Sequence, residues 1–235
     1  MLLNKTYIVT GASSGIGKAI SEMLLKLDAN VIGVSQHVKP IEGQDRFKAV
    51  NVNFDKPANY ENALKTLIKN TEEIDGCICA AGIGRFGGLE QFSFAQMQNI
   101  MHINFTAHAL LIRYVLPKLK LQKQGDVIFI GSESALDGGK NGAMYCASKF
   151  ALRGLALSLR EECSKSGVRI SLINPGMVKT PFFENLSFTP GDDEENYLVA
   201  EDVADAAQLI LTSRPGTVFD EINLSPLKKV INFNG

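Results

Sequence analysis

The four cysteines of this chain, Cys77, Cys79, Cys146 and Cys163, contain no Cys-x-x-Cys pair, and its three histidines are scattered. Three of these cysteines lie in apolar runs, which fits reduced thiols better than disulfides and leaves no grouping with metal-ligand spacing. An excess of charge of one sign is also missing: 24 basic residues against 25 acidic ones leave a formal net charge of −1. That balance gives no electrostatic reason to bind nucleic acid or an anionic membrane. The opening residues, Met1-Leu2-Leu3-Asn4-Lys5-Thr6, lack the apolar stretch of a signal peptide, and no run approaches the length of a membrane span. The expectation is a cytoplasmic protein with no metal, no nucleic-acid partner and no membrane.

What is present is ordinary globular material. The chain has 235 residues, 45% hydrophobic and 21% charged, with a mean hydropathy of +0.03. That is enough for one α/β domain over residues 1–235, and no repeat or linker divides it. Short apolar runs at 6–9, 31–34, 47–50, 74–80, 127–130, 168–173 and 219–224 read as strands, the last one closing the chain. Segments of helical period at 16–27, 57–69, 93–119, 145–165 and 201–211 separate them, and 189–195 is the most polar, loop-like stretch. Strands separated by helices need right-handed crossovers and a parallel sheet covered on both faces. A doubly wound, Rossmann-type parallel sheet of about seven strands is predicted.

Between the first strand and first helix stands Thr10-Gly11-Ala12-Ser13-Ser14-Gly15-Ile16-Gly17. Glycines suit a place where backbone amides approach a pyrophosphate while the chain turns sharply, with the helix N-terminus facing the anion. The spacing is Gly-x-x-x-Gly-x-Gly, so it is neither the Gly-x-Gly-x-x-Gly fingerprint nor a P-loop.

Tyr145 and Lys149 lie four residues apart in a predicted helix and share one face. An isolated phenol titrates near 10. A cation about 4 Å away at an effective dielectric of about 20 supplies roughly 4 kcal/mol, or about three pKa units. A tyrosine so placed exchanges protons near neutral pH, as carbonyl reduction requires. Tyr-x-x-x-Lys alone recurs by chance, and the surroundings add weight. Ser132 follows a strand and so lies at the carboxyl edge of the sheet, where ligands of open α/β sheets bind; its hydroxyl there can hold a substrate oxygen. Asn104, in the long central helix, is either a site residue or a polar residue bonded back to its own helix.

With these pieces in place the sequence resembles the short-chain dehydrogenase/reductase family over essentially its whole length. The matching features are the Thr10–Gly17 turn, Ala80-Ala81-Gly82 after the fourth strand, Asn104, Ser132, Tyr145-Cys146-Ala147-Ser148-Lys149 and Pro175-Gly176-Met177-Val178-Lys179-Thr180-Pro181. The resemblance implies that Tyr145 is the general acid in reduction and that Lys149 lowers its pKa and bonds the nicotinamide ribose. Ser132 would orient the carbonyl, and Asn104 would hold a water in a proton relay. It implies cofactor contacts from Gly11, Ser13, Ser14, Gly15, Ile16 and Gly17 on the pyrophosphate side. Further contacts are implied for Ser35, Gln36, Asn53 and Phe54, for Ala80, Ala81 and Gly82, and for Tyr145 and Lys149. Pro175, Gly176, Val178 and Thr180 would seat the nicotinamide. Two positions depart from the family: Cys79-Ala80-Ala81-Gly82 lacks the usual asparagine, and Asn53 replaces an adenine-binding aspartate.

The second strand ends Val34-Ser35-Gln36-His37-Val38-Lys39. An acidic residue there would bond both ribose hydroxyls and repel a 2′-phosphate. Ser35 takes that place, and Ser35, Gln36, His37 and Lys39 together tolerate a phosphate, so the reading leans to NADP(H) over NAD(H). Phe182, Phe183, Leu186 and Phe188 point to an apolar lid over a small or medium carbonyl or alcohol substrate. Apolar positions beyond one buried stripe on the helices at 97–116 and around Tyr145 point to a homodimer or homotetramer. A non-catalytic NAD(P)-binding sensor is the rival reading; such proteins typically lose the tyrosine–lysine pair. An extended epimerase or dehydratase needs a larger C-terminal part than the 60 residues after Pro175.

Overall fold

The computed structural model describes residues 2–233. Strand β1 (Thr6–Thr10) leads through the glycine turn into α1 (Gly15–Lys26), then β2 (Asn30–Ser35), β3 (Phe47–Asn51), α2 (Pro57–Lys69) and β4 (Gly76–Cys79). Next come α3 (Phe94–Met101), α4 (Ala107–Gln122), β5 (Gly125–Ile130), α5 (Ala143–Cys163) and β6 (Val168–Pro175). The chain finishes with β7 (Phe188–Pro190), α6 (Ala200–Thr212), β8 (Glu221–Leu224) and β9 (Ile231–Phe233).

Seven strands form one sheet in the order β3-β2-β1-β4-β5-β6-β8, and every pairing is parallel. The predicted doubly wound sheet is what forms. Alternation along each strand divides the core. Ile8, Cys77, Cys79, Val127 and Phe129 pack with Leu64 of α2, Leu111 and Val115 of α4 and Leu152 of α5. Their neighbours Tyr7, Val9, Ile78, Ile128 and Ile130 pack on the other face with Ile20 and Leu24 of α1 and Val203 and Ile210 of α6. Burial on both faces explains why the central strands read as unbroken apolar runs. Strand order reverses between β1 and β4, so a crevice opens beyond their carboxyl ends, where ligands of such sheets bind.

Two predicted elements differ in form. The helix expected over 93–119 is α3 and α4 joined by a π-helical turn at His102–Thr106. An inserted residue of this kind leaves the apolar pattern readable as one helix while shifting its phase. Ser93 opens α3 with a capping box, accepting from the Gln96 amide while Gln96 accepts from its own. At the other end of the chain, 219–224 does not close it. The expected loop starts on a strand, because β7 pairs antiparallel with β9. Strands of three residues joined across the sequence carry no local periodicity, so their pairing is visible only once the chain is folded. Among the described residues no helix is long and apolar enough to cross a membrane.

Candidate active site

The glycine turn is built by close approach. Gly11 and Gly15 have φ of +71° and +51°, in the left-handed region that favours glycine. A Cβ on Gly11 would come 3.0 Å from the backbone of Ala80 and Ala81, and one on Gly17 would collide with the Gly11 carbonyl oxygen. The turn is tied to β4 by Thr10, whose Oγ1 accepts the amides of Ala80 and Ala81 at 3.0 and 3.1 Å. This threonine steadies the very run that lacks the family's asparagine. At the start of α1, Ser14 makes no side-chain cap and the first turn carries no acidic residue. The helix therefore presents amides and the positive end of its dipole towards the crevice.

Ser132 lies two residues beyond the end of β5, its Oγ accepting the Ser134 amide at 3.1 Å. Tyr145 and Lys149 occupy successive turns of α5 and are both buried. The Lys149 ammonium donates to the Ile130 carbonyl at 3.0 Å and lies 5.8 Å from the centre of the Tyr145 ring. Burial pushes the Tyr145 hydroxyl up to about 12, with its hydrogen bond to Ser132 pulling the other way. Burial also brings Lys149 down to about 8. The depression of Tyr145 expected from a cation about 4 Å away is not what this arrangement produces. The ammonium donates to β5, and desolvation of the phenolate is the largest influence on the phenol.

Asn104 sits on the π-helical turn and is fully buried. It does not bond back to its own helix. Its Oδ1 accepts the Ile83 amide at 2.8 Å, while Nδ2 donates to the Ile83 carbonyl and to Ser148 Oγ, both at 3.0 Å. Ser148 in turn donates to the Tyr145 carbonyl at 2.7 Å. The loop after β4 is thereby braced against the helix that carries Tyr145. Both amide hydrogens of Asn104 are already donated, which leaves neither for a relay water.

A cavity of about 810 Å³ runs from the glycine turn to Tyr145. Every residue expected to bind cofactor or react lines it, except Asn53 and Asn104. Asn53 instead accepts the Asp55 amide at 2.8 Å, a local turn that leaves Phe54 and Asp55 facing the cavity. His37 and Lys39 are exposed and stand outside it, while Ser35 and Gln36 line it and Ser35 hydrogen-bonds Ser13 at 2.8 Å. Phe182, Phe183 and Phe188 of the expected lid face the cavity.

Sequence reasoning missed Asp55, Phe86, Ile231 and Phe233 on the cavity wall. Asp55 had a signal, a carboxylate directly after Phe54. The others are lone apolar residues in loops or in a short terminal strand. It also missed His108, one turn after Asn104, whose Nε2 bonds the Ala81 carbonyl at 2.8 Å. Burial pushes this imidazole down to about 4. It is neutral, and since a carbonyl only accepts, Nε2 carries the proton. Among the described residues no group of three or more His, Cys, Asp or Glu side chains is placed to hold a metal ion.

Fold and site together define a doubly wound α/β protein with serine, tyrosine and lysine gathered in its switch-point crevice. The family model for short chain dehydrogenases matches residues 5–190, and the chain belongs to that family. An uncharacterized oxidoreductase of Staphylococcus epidermidis is 30% identical over 228 residues, covering 95% of this chain and 97% of the relative. A metagenomic short-chain oxidoreductase solved in complex with NADP aligns with a TM-score of 0.80 at 26% identity, over 97% of this chain and 99% of that one. An alcohol dehydrogenase from the archaeon Thermococcus sibiricus, complexed with 5-hydroxy-NADP, has a TM-score of 0.84 at 23% identity, over 96% and 98%. That last likeness is one of fold.

Proposed function

We propose that this protein is an NAD(P)(H)-dependent oxidoreductase that interconverts a carbonyl and a secondary alcohol, with Tyr145 as its acid/base. One observation carries the reading: Ser132, Tyr145 and Lys149 line the same cavity as the glycine turn. The cradle fits a dinucleotide, because the glycine turn lines the cavity and because the start of α1 lacks an acidic residue and a side-chain cap. Asn53 drops out of the proposed cofactor contacts, and Asp55 replaces it at the adenosine end.

When bound, the nicotinamide supplies or accepts the hydride. The remaining work falls to the chain. Ser132, which accepts from Ser134 and hydrogen-bonds Tyr145, donates its single O–H to a substrate oxygen placed between it and the tyrosine. Tyr145 gives its proton to that oxygen in reduction and recovers it in oxidation. Lys149 spends one N–H on Ile130 and has two more for the nucleotide ribose, while its charge favours the phenolate that forms. NADP(H) is favoured over NAD(H) because neither Ser35 nor Gln36 carries a negative charge to repel a 2′-phosphate. The NADP complex of the metagenomic relative supports the same choice.

The substrate is a small or medium carbonyl compound or the matching alcohol. Phe150 and Leu157 on the exposed face of α5 support assembly into a homodimer or homotetramer. Four buried, unpaired cysteines suit a reducing, cytoplasmic compartment. A carbonyl panel assayed with NADPH and NADH, alongside Tyr145→Phe, tests the reading. Turnover by wild type with loss in Tyr145→Phe is expected. Full activity in the variant removes the mechanism, and tighter NAD(H) binding reverses the cofactor choice. Light scattering showing a monomer at micromolar concentration removes the assembly.

A further inference from the structure

Tyr145 stands in a row of rings. Its centroid is 5.0 Å from that of Phe86 and 6.0 Å from that of Phe182. Phe188 meets Phe86 edge-on at 4.9 Å, and Phe233 stands 6.5 Å from Phe188. All five side chains line the cavity. The rings converge from separate places: Phe86 follows β4, Phe182 follows β6, Phe188 lies on β7 and Phe233 on β9. These are separations at which aromatic pairs attract through their quadrupoles as well as by burial.

Phe233 is the unusual member. It is 77% exposed, yet the strand that carries it is tied to β7 along one edge and the residues leading into it are tied down as well. Beyond the β7–β9 pairing, the Gly191 amide donates to the Val230 carbonyl at 3.0 Å, and Asn232 Nδ2 donates to Asp192 at 3.1 Å. Lys228 forms an ion pair with Glu195, and Lys229 one with Glu133 at 2.6 Å. Glu133 is the residue directly after Ser132, so the tail is anchored beside the reacting atoms. A large apolar ring that lines the cavity while most of it stays exposed gains burial when a ligand covers it.

Resting on the carbonyl-reductase reading above, we infer that the site takes an aryl ketone or the matching aryl carbinol. Its ring lies among Phe86, Phe182 and Phe188 with the carbonyl turned to Tyr145, and Phe233 is a specificity-determining residue that closes over it. A saturated ring of the same skeleton loses the edge-to-face contacts while retaining the burial. The discrimination is therefore on the order of tenfold, the scale of one or two such ring pairs.

The test compares acetophenone with cyclohexyl methyl ketone, which differ only in ring saturation. Binding is measured by NMR titration on the protein saturated with NADP+ or NAD+, whichever binds more tightly, because the oxidised nucleotide has no hydride to give. The expected result is about tenfold tighter binding of acetophenone by wild type, falling to less than threefold in Phe233→Ala, with nucleotide affinity within twofold of wild type. Lys229→Glu weakens acetophenone binding through the tail, and Lys229→Glu with Glu133→Lys restores it. Equal affinities in wild type overturn the aromatic assignment, and an unchanged preference in Phe233→Ala overturns the role of the tail. Selective binding of acetophenone without any reduction by NADPH or NADH leaves this inference standing and removes the oxidoreductase reading. Equal binding and equal reduction of both ketones does the reverse.

Discussion

Asn104 grips Ile83 by both halves of its backbone, accepting its amide at 2.8 Å and donating to its carbonyl at 3.0 Å. The loop after β4 has left the sheet, so its peptide groups need partners from elsewhere, and a buried amide side chain copies a strand edge. Gly82 lies alongside, where a Cβ would make ordinary contact 3.4 Å from Asn104 Oδ1 and 3.8 Å from the Lys149 ammonium.

Removing that brace has a double cost. Asn104→Ala leaves the part-buried Ile83 N–H and C=O without their protein partner, and an unsatisfied group costs up to about 1–3 kcal/mol when water cannot reach it. An unfolding free energy lower by that order is expected in urea melts, with kcat lowered because the loop after β4 is no longer braced against the helix that carries Tyr145. Asn104→Asp keeps the acceptor and is expected to fall between the two. Melts that superimpose for all three proteins would show that the brace is idle.

Tyr145→Phe removes a single oxygen from a buried ring whose packing against Phe86 and Phe182 is otherwise kept. Loss of a positioned general acid lowers kcat by roughly 10²–10⁴. Circular dichroism and nucleotide affinity should stay close to wild type, which separates a chemical defect from a folding one.

The pH dependence of reduction follows from two buried groups. Reduction needs the phenol protonated, which holds below about 12. It is also helped by the ammonium form of Lys149, which is lost as pH rises through about 8. In reduction kcat/KM is therefore expected to be level near neutrality and to decline above pH 8, with the lysine titrating first. Oxidation needs the phenolate and should rise with pH instead. Lys149→Arg keeps its charge throughout, so the inflection near 8 should vanish from whatever activity remains. An inflection that persists would falsify the assignment to Lys149.

Thr10→Val is nearly isosteric and removes the acceptor shared by the Ala80 and Ala81 amides. The expected stability loss is about 1–3 kcal/mol. Nucleotide affinity should fall as well, because Gly11 packs directly on the same two residues. Thr10→Ser keeps the oxygen and should recover most of both. Equal nucleotide binding by Thr10→Val and wild type would detach the β4 turn from the cofactor cradle.

Local pattern carries a long way in this chain. The parallel sheet was legible because strands buried on both faces must be apolar along their whole length and helices between them must be amphipathic. The glycine turn, Ser132 and the Tyr145–Lys149 pair were legible because each follows a recognisable element, and together they line one cavity. Asn53 stands outside the cavity because its side chain accepts the Asp55 amide, a local choice in a tight turn that residue identity does not reveal. His108 gave no signal, since a histidine in an apolar helix reads as packing until its carbonyl partner is known.

Amino-acid order thus determined the α/β architecture and which residues stand at the carboxyl edge of the sheet, because both follow from periodicity and short-range spacing. Only the folded chain decided what those residues meet. The ammonium of Lys149 donates to the Ile130 carbonyl, burial outweighs the Ser132 hydrogen bond in setting the phenol, and β9 returns to bring Phe233 to the cavity. Desolvation and long-range pairing depend on groups far apart in sequence, and they take effect only when the core closes around them.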